Sequence, residues 1–238
     1  MLKYISLFIA GLFMFFTGCS SSISQTTQSQ ATSTPAQAGN IIEYPDYIIY
    51  LPSGLSLTEK YPLLIALSPS ADASGMIEFW KNTGEKYKWI IYASKIGRNG
   101  MDLDSTINDI ASIIKKDILP SYPVDRKRII ASGFSGAGMA SHAFSFLYPH
   151  IISAVIINTG MINEDYLKED TYPGGKIAVF LASPEDFRYN EMKRDRDFLQ
   201  NLGWNIKWIE FPGGHTMAPK TVYDEAVKWV EDEFDRNL

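Results

Sequence analysis

The sequence predicts an α/β fold in which a mostly parallel sheet is covered by helices on both faces. Short continuous apolar runs recur along the chain, and such runs are typical of strands buried on both faces. Amphipathic segments with a helical period separate them, which is the alternation that builds a parallel sheet. With 238 residues, of which 45% are hydrophobic, the chain is long enough for one such domain.

The strands are predicted from apolar and β-branched content between turn residues. The runs PLLIALS, WIIYA and IISAVIIN have almost no polar residue and are expected in the buried middle of the sheet. In chain order, the predicted strands are 47–51, 62–68, 89–93, 128–132, 151–158, 176–182 and 206–211.

Helices are predicted between these strands from apolar residues spaced three or four apart. One helix is predicted to have Asp104 or Ser105 as its N-cap and to end at Pro120, with four isoleucines on one face. Asp102 and Asp104 are interpreted as helix-capping residues rather than as part of a metal site. Others are predicted at 76–87, 138–148 and 191–202, and a C-terminal helix has an apolar face at 222–234.

Residues 1–18 resemble a secretory signal peptide. A short positive start precedes an apolar run at 5–16, which is too short to span a bilayer as a helix. The sequence Phe16-Thr17-Gly18-Cys19 resembles a bacterial lipobox, which implies that Cys19 is lipidated and becomes the N-terminus. The alternative is a plain signal peptide followed by an incidental cysteine.

The segment that follows is predicted to be a flexible tether. Residues 19–40 carry no charge and consist mostly of Ser, Thr, Gln and Ala, a composition that cannot bury enough apolar surface to fold. The folded domain is expected at 41–238. Lipidation would anchor it to a membrane, on the extracytoplasmic face of the cell envelope.

Composition excludes several classes of function. The net charge of −5 argues against nucleic acid as a partner, because clustered Lys and Arg carry that affinity. One cysteine cannot form an internal disulfide, and three scattered histidines do not fit a zinc site. We therefore expect no metal and no cofactor. The oligomeric state is not predicted.

The strongest motif is the sequence GFSGAG at 133–138, directly after a predicted strand and before a predicted helix. A serine on a tight strand-to-helix turn between glycines is the nucleophile elbow of α/β-hydrolases. Here Ala137 takes the place of the usual second glycine, and Gly138 follows it. The glycine spacing does not match the dinucleotide-binding fingerprint. Ser135 is the predicted nucleophile.

An acid and a histidine follow Ser135 in the order that this fold requires. Asp186 lies after the strand at 176–182, and His215 lies in a Gly-rich loop after the strand at 206–211. The spacings of 51 and 29 residues leave room for the elements between them. Glu185 is the alternative acid. Because all three positions follow strand ends, they are expected to meet at one edge of the sheet.

The roles follow from chemistry. His215 would remove the proton of Ser135, and Asp186 would orient the imidazole and stabilise its charged form. The backbone N–H of Gly136 and a second N–H after Leu67 would hold the oxyanion. Since Pro69 has no N–H, Ser70 is the candidate for the second donor.

From Tyr61 onward, the chain resembles the esterase and polyhydroxybutyrate-depolymerase-like branch of the α/β-hydrolase superfamily. The resemblance rests on VDRKRI at 124–129, the elbow, EDF at 185–187 and FPGGH at 211–215. It implies an α/β-hydrolase fold and a serine esterase with a Ser135, Asp186 and His215 triad. Many relatives carry His-Gly where this chain has Ser68 and Pro69.

Two further functions stay open at this point. One is a serine peptidase of the same fold, and the other is a catalytically silent lipoprotein that binds a ligand. Only 17 residues separate Asn158 from Lys176, which leaves no room for a sizeable lid domain. An open cleft suits a bulky or polymeric ester, or an acyl-decorated polysaccharide, better than a long buried lipid chain. The expected substrate is a small-molecule or polymer-linked ester. His142, Trp204 and Trp208 are interpreted as packed residues, although the tryptophans also fit a sugar site.

Overall fold

The computed structural model describes residues 39–56 and 58–236. The predicted signal peptide, Cys19 and the tether up to residue 38 lie outside the described residues. None of the helices within these two ranges is both long and apolar enough to cross a membrane.

The described residues form one eight-stranded sheet with the order β1-β2-β4-β3-β5-β6-β7-β8. Strands β3 to β8 pair in parallel, whereas β1 pairs with β2, and β2 with β4, in antiparallel fashion. The bounds are β1 (Asn40–Glu43), β2 (Tyr47–Leu51), β3 (Tyr61–Leu67), β4 (Ile90–Ser94), β5 (Val124–Phe134), β6 (Ala154–Asn158), β7 (Ile177–Ala182) and β8 (Asn205–Glu210). The prediction of a mostly parallel sheet is confirmed.

Helices cover both faces of this sheet because successive strand side chains point to opposite faces. Ile65 of β3 belongs to the apolar cluster that also contains Ile110 and Phe144, whereas its neighbour Leu64 belongs to the cluster that contains Trp80. The helices are α1 (Ala73–Tyr87), α2 (Leu103–Ile113), α3 (Leu119–Ser121), α4 (Gly136–Leu147), α5 (Tyr189–Asn201) and α6 (Lys220–Arg236). Helices α2, α4 and α5 lie on one face, and α1 and α6 on the other.

Strand β1 was not predicted. It has four residues whose side chains alternate between partly buried and exposed, so it lacks the apolar run of a buried strand. Its place in the sheet comes from an antiparallel hairpin with β2, in which Ile41 pairs with Tyr50. Pairing with a neighbour stabilises this strand, and local sequence does not report that pairing.

The start and end of the helix predicted from Asp104 to Pro120 were wrong by a few residues. The N-cap is Asp102, whose extended backbone lets its carboxylate accept the N–H of Ser105 at 2.7 Å. Asp104 lies inside α2, where it accepts a hydrogen bond from Tyr166. A π-helical turn, Ile114–Ile118, joins α2 to α3, and Pro120 is tolerated in the first turn of α3.

The topology places the predicted catalytic and oxyanion-hole residues at one edge of the sheet. Since β3, β5, β7 and β8 are parallel, the loops after them leave the sheet on the same side. Between β6 and β7 the chain forms only the short 3-10 turn Glu164–Tyr166, so no lid domain is inserted there. No domain inserted between β6 and β7 therefore covers Ser135, which is partly exposed.

Candidate active site

Ser135 occupies a strained turn between β5 and α4. Its backbone has φ 55° and ψ −121°, and it stands at the N-cap position of α4. A non-glycine residue in such a region costs about 1–3 kcal/mol, which the surrounding structure must offset. The backbone N–H of Ser135 donates to the carbonyl of Asn158 at 2.9 Å, which ties the turn to the next strand. The turn holds the serine at the end of the strand.

The glycines around the elbow make room for backbone contacts. A Cβ on Gly133 would lie 2.3 Å from the carbonyl carbon and oxygen of Ala137. A Cβ on Gly138 would lie 3.0 Å from the Cα of Gly160. Because Gly133 has no side chain, Ala137 fits where other elbows carry glycine. The departure from the usual motif is thus compatible with the geometry of the turn.

His215 lies between Ser135 and Asp186. Its Nε2 is 2.8 Å from Oγ of Ser135, and its Nδ1 is 2.7 Å from Oδ2 of Asp186. An ionised carboxylate only accepts hydrogen bonds, so Nδ1 carries the proton in this arrangement. Nε2 is then free to accept the hydroxyl proton of Ser135. The three side chains that the sequence singled out are within hydrogen-bond reach in the required order.

Asp186, and not Glu185, faces the histidine. The Asp186 side chain is fully buried, and its second oxygen accepts the backbone N–H of Arg188 at 2.7 Å. Glu185 instead accepts the hydroxyl of Ser183 at 2.6 Å and the N–H of Gly213 at 3.3 Å. The hydrogen bond from Ser183 lowers the pKa of Glu185. Glu185 therefore ties the acid loop to the histidine loop without touching the imidazole.

Two phenylalanine rings flank the imidazole. The ring of Phe134 lies 5.1 Å from that of His215, and the ring of Phe187 lies 4.5 Å from it. Phe187 is 69% exposed, which is unusual for a side chain of this size. In the sequence, Phe187 is notable only as part of the EDF motif at 185–187. In the structure it lies at the rim of the site, beside the imidazole of His215.

The two candidate oxyanion donors differ in their surroundings. Gly136 is the first residue of α4, and the first N–H groups of an α-helix have no acceptor within the helix. The N–H of Ser70 is directed to Oγ of Ser68 at 3.3 Å, which is a long hydrogen bond. The N–H of Ala71 donates to the carbonyl of Ser68 at 3.1 Å. Gly136 thus has the freer donor of the two.

Asn158 is a residue of the site that the sequence analysis missed. Its side chain is fully buried, accepts the N–H of Ala218 at 2.7 Å and the hydroxyl of Tyr223 at 3.0 Å, and donates to the carbonyl of Thr216 at 3.3 Å. Its own carbonyl accepts the N–H of Ser135. One residue therefore holds both the serine turn and the segment that follows His215. Its position at the end of a predicted strand was the available signal.

His142 takes no part in this arrangement. It is fully buried in α4, and burial lowers the pKa of its imidazole to about 3, so the ring is neutral. Neither ring nitrogen has a hydrogen-bond partner within the described residues. The expectation that His142 is a packed helix residue is confirmed. Trp204 is likewise buried, with its indole N–H donating to the carbonyl of Pro173 at 2.7 Å.

Two clefts open on either side of the loop after β3. The first, of about 130 Å³, lies between this loop, α2 and α4 and reaches Gly136. The second, of about 390 Å³, contains His215, Met217 and the hydroxyl-bearing Ser70. Leu67, together with the residues at 68–69, lines both clefts. The first cleft therefore reaches Gly136 and the second reaches Phe134, the two chain neighbours of Ser135, whereas Ser135 itself lines neither cleft.

Solved structures with a similar fold include esterases and a serine hydrolase. A thermostable esterase superposes with a TM-score of 0.60 at 18% identity, covering 81% of this chain and 61% of its own. A carboxylesterase from Bacillus cereus has a TM-score of 0.64 at 15% identity, covering 78% and 93%. FphF, fluorophosphonate-binding serine hydrolase F of Staphylococcus aureus, has a TM-score of 0.58 at 12% identity, covering 80% and 96%.

The chain has the α/β-hydrolase fold. At these identities the likeness to solved structures concerns the fold alone. No protein-family model matches the sequence, and no curated protein matches it either.

The contacts of Asn158 predict a selective effect of its replacement. Asn158→Asp keeps the shape but loses the donors to Thr216 and adds a buried charge beside two carbonyl groups. We expect the histidine loop to shift, so that kcat for a nitrophenyl ester falls at least about tenfold while KM changes little. Steady-state kinetics measures both constants.

Ser141→Ala is the matched control for this variant. Ser141 is also fully buried, but its hydroxyl makes only a local bond to the carbonyl of Ala137 at 2.9 Å. Its removal should leave kcat close to that of the wild type. Equal losses of kcat in both variants, or a wild-type kcat in Asn158→Asp, would mean that Asn158 does not position His215.

Proposed function

We propose that this chain is a serine hydrolase that cleaves carboxylic esters through an acyl-enzyme. The observation that carries the proposal is the continuous line of hydrogen bonds from Ser135 through His215 to the buried Asp186. A serine hydroxyl is a weak nucleophile until a neighbouring base takes its proton. In this proposal His215 is the base and Asp186 is the group that orients it. We also propose that the chain belongs to the esterase branch that is related to polyhydroxybutyrate depolymerases.

In the first half of the reaction, Oγ of Ser135 attacks the ester carbonyl carbon as its proton passes to Nε2 of His215. The imidazolium that forms is stabilised by the carboxylate of Asp186. Collapse of the tetrahedral intermediate breaks the bond to the alcohol oxygen. That oxygen takes the proton from Nε2 and leaves as the alcohol, and the acyl group stays on Ser135.

The second half repeats these steps with water. His215 takes a proton from water, the hydroxide attacks the acyl carbon, and the bond to Oγ breaks as Oγ regains its proton. The backbone N–H of Gly136 would stabilise the negative oxygen in both halves, helped by the positive end of the α4 dipole. The N–H of Ser70 would be the second donor, once it turns from Ser68 to the oxyanion.

Two observations favour an ester over the alternatives. No lid domain is inserted between β6 and β7, which suits access of a small or polymer-linked ester to Ser135. Unlike peptide hydrolysis, ester hydrolysis also needs no binding site for an extended peptide chain. A silent binding protein would not need the strained turn at Ser135, which costs stability. The peptidase and binding functions are outcomes of the test below.

Replacement of the triad residues tests the proposal. Ser135→Ala should fold normally and lower ester hydrolysis by about 10³-fold or more, because only binding and the oxyanion donors remain. Asp186→Asn should also be severe, since His215 would lose the carboxylate that sets its tautomer. Activity on short-chain nitrophenyl esters and on peptide amides is measured side by side.

Glu185→Gln is the matched control, because it changes the neighbouring carboxylate that does not touch His215. Its activity should stay near that of the wild type. A fluorophosphonate probe should label the wild type at Ser135. No labelling would favour the silent binding protein, cleavage of amides with esters untouched would favour the peptidase, and full activity of Asp186→Asn would overturn the triad.

We also propose that the protein is a lipoprotein, anchored through Cys19 on the extracytoplasmic face of the cell envelope. Support comes from the lipobox-like sequence, from the position of the single cysteine and from the uncharged tether that follows it. A tether of this kind would let the hydrolase domain reach substrates some distance from the membrane surface.

Cys19→Ala tests the anchor. It should abolish metabolic labelling with palmitate and release the protein from the membrane fraction, because the thiol that carries the lipid is gone. Ser22→Ala, three residues further on, is the control and should leave both unchanged. Membrane association of Cys19→Ala equal to that of the wild type would contradict the anchor.

A further inference from the structure

The two clefts on either side of the loop after β3 differ in the chemistry of their walls. The cleft that reaches Gly136 is mainly apolar, with Met101, Leu103, Ile110 and Ala140 among its lining residues. The other cleft contains His215 and has more polar walls, including Asp72 and Thr216. We name the first the α2–α4 cleft and the second the His215 cleft. An ester has an acyl arm and an alcohol arm on the two sides of its ester bond, and the two clefts provide a separate place for each arm.

The chemistry of the reaction decides which arm lies in which cleft. The alcohol oxygen must receive its proton from Nε2 of His215, so the alcohol arm leaves on the side of that ring. The carbonyl oxygen must face the N–H of Gly136. The remaining substituent, the acyl chain, then points away from His215. The α2–α4 cleft contains Gly136 and lacks His215.

We propose that the α2–α4 cleft is the acyl-binding site and that it selects esters of short, uncharged acyl chains. This inference rests on the proposed function, since it needs an acyl-enzyme at Ser135. The walls of the cleft favour a hydrocarbon chain, because burying methylene groups against apolar side chains removes them from water. Arg98 is the charged residue of the lining, and it is exposed to solvent.

The volume of the cleft limits the length of the acyl chain that it can hold. An apolar protein cavity of about 150 Å³ is known to hold benzene, which has six carbons. A cleft of about 130 Å³ therefore accepts acyl chains of about six carbons at most. Met101, which is 52% exposed, lies where a longer chain would emerge into water. Carbons beyond that point would gain little from binding.

A series of nitrophenyl esters from acetyl to dodecanoyl tests this. Each methylene that enters the cleft should raise kcat/KM about fourfold, the factor expected for its burial. The increase should stop at about six carbons, and longer chains should give no further gain. Ala140→Leu fills the cleft with three more carbons and should move this limit to shorter chains by about two or three carbons.

Two methionine variants serve as a matched pair and keep the test valid if Ala140→Leu folds poorly. Met101→Ala changes an exposed residue of the α2–α4 cleft and should reduce the gain per methylene. Met217→Ala changes the His215 cleft and should leave the acyl limit where it is in the wild type. Fluorophosphonate labelling of Ser135 is followed in each variant.

The outcomes separate this inference from the proposed function. Loss of labelling and of all ester hydrolysis in the wild type would overturn the proposed function. Labelling with a kcat/KM that rises steadily to dodecanoyl, or a limit that moves only in Met217→Ala, would overturn the acyl site alone. Faster hydrolysis of a hemisuccinate than of a butyrate ester would overturn the proposed preference for an uncharged acyl chain.

Discussion

The hydrogen bond between Ser135 and His215 joins two loops that begin on different strands, and the remaining features of the site serve to keep those loops together. Ser135 follows β5 and His215 follows β8, with two strands between them in the sheet. Parallel pairing brings the loops to one edge, and Asn158, on the intervening strand β6, bonds to both. Glu185 and Ser183 add a second connection, from the acid loop to Gly213 and Gly214.

This convergence has a cost that the core offsets. The positive φ of Ser135 and the buried carboxylate of Asp186 both oppose folding unless neighbouring groups compensate. Asp186 receives hydrogen bonds from Arg188 and His215, and the elbow is supported by close backbone packing at Gly133 and Gly138. The relative positions of Ser135, His215 and Asp186 are therefore set by rigid elements, which is what the proposed role of Ser135 as a nucleophile requires.

Much of this arrangement could be predicted because short stretches of the sequence determine it. Apolar runs mark buried strands wherever they occur, and the serine turn, acid and histidine each follow such a run. Strand β1 could not be predicted as reliably, since it depends on pairing with β2. The N-cap of α2 could not either, since tertiary contacts decide among three nearby residues that can cap a helix. The role of Asn158 was missed for the same reason: its partners Thr216 and Ala218 are about sixty residues away.

The central claim is that Ser135 carries the acyl group during turnover. The most direct measurement mixes the protein with a slight excess of a nitrophenyl butyrate, quenches with acid within one turnover and maps the modified peptide by mass spectrometry. The account predicts a burst of nitrophenol equal to the enzyme concentration and a butyryl group on the peptide that contains Ser135, absent in Ser135→Ala. Turnover without an acylated Ser135, or acylation of another residue, would contradict it.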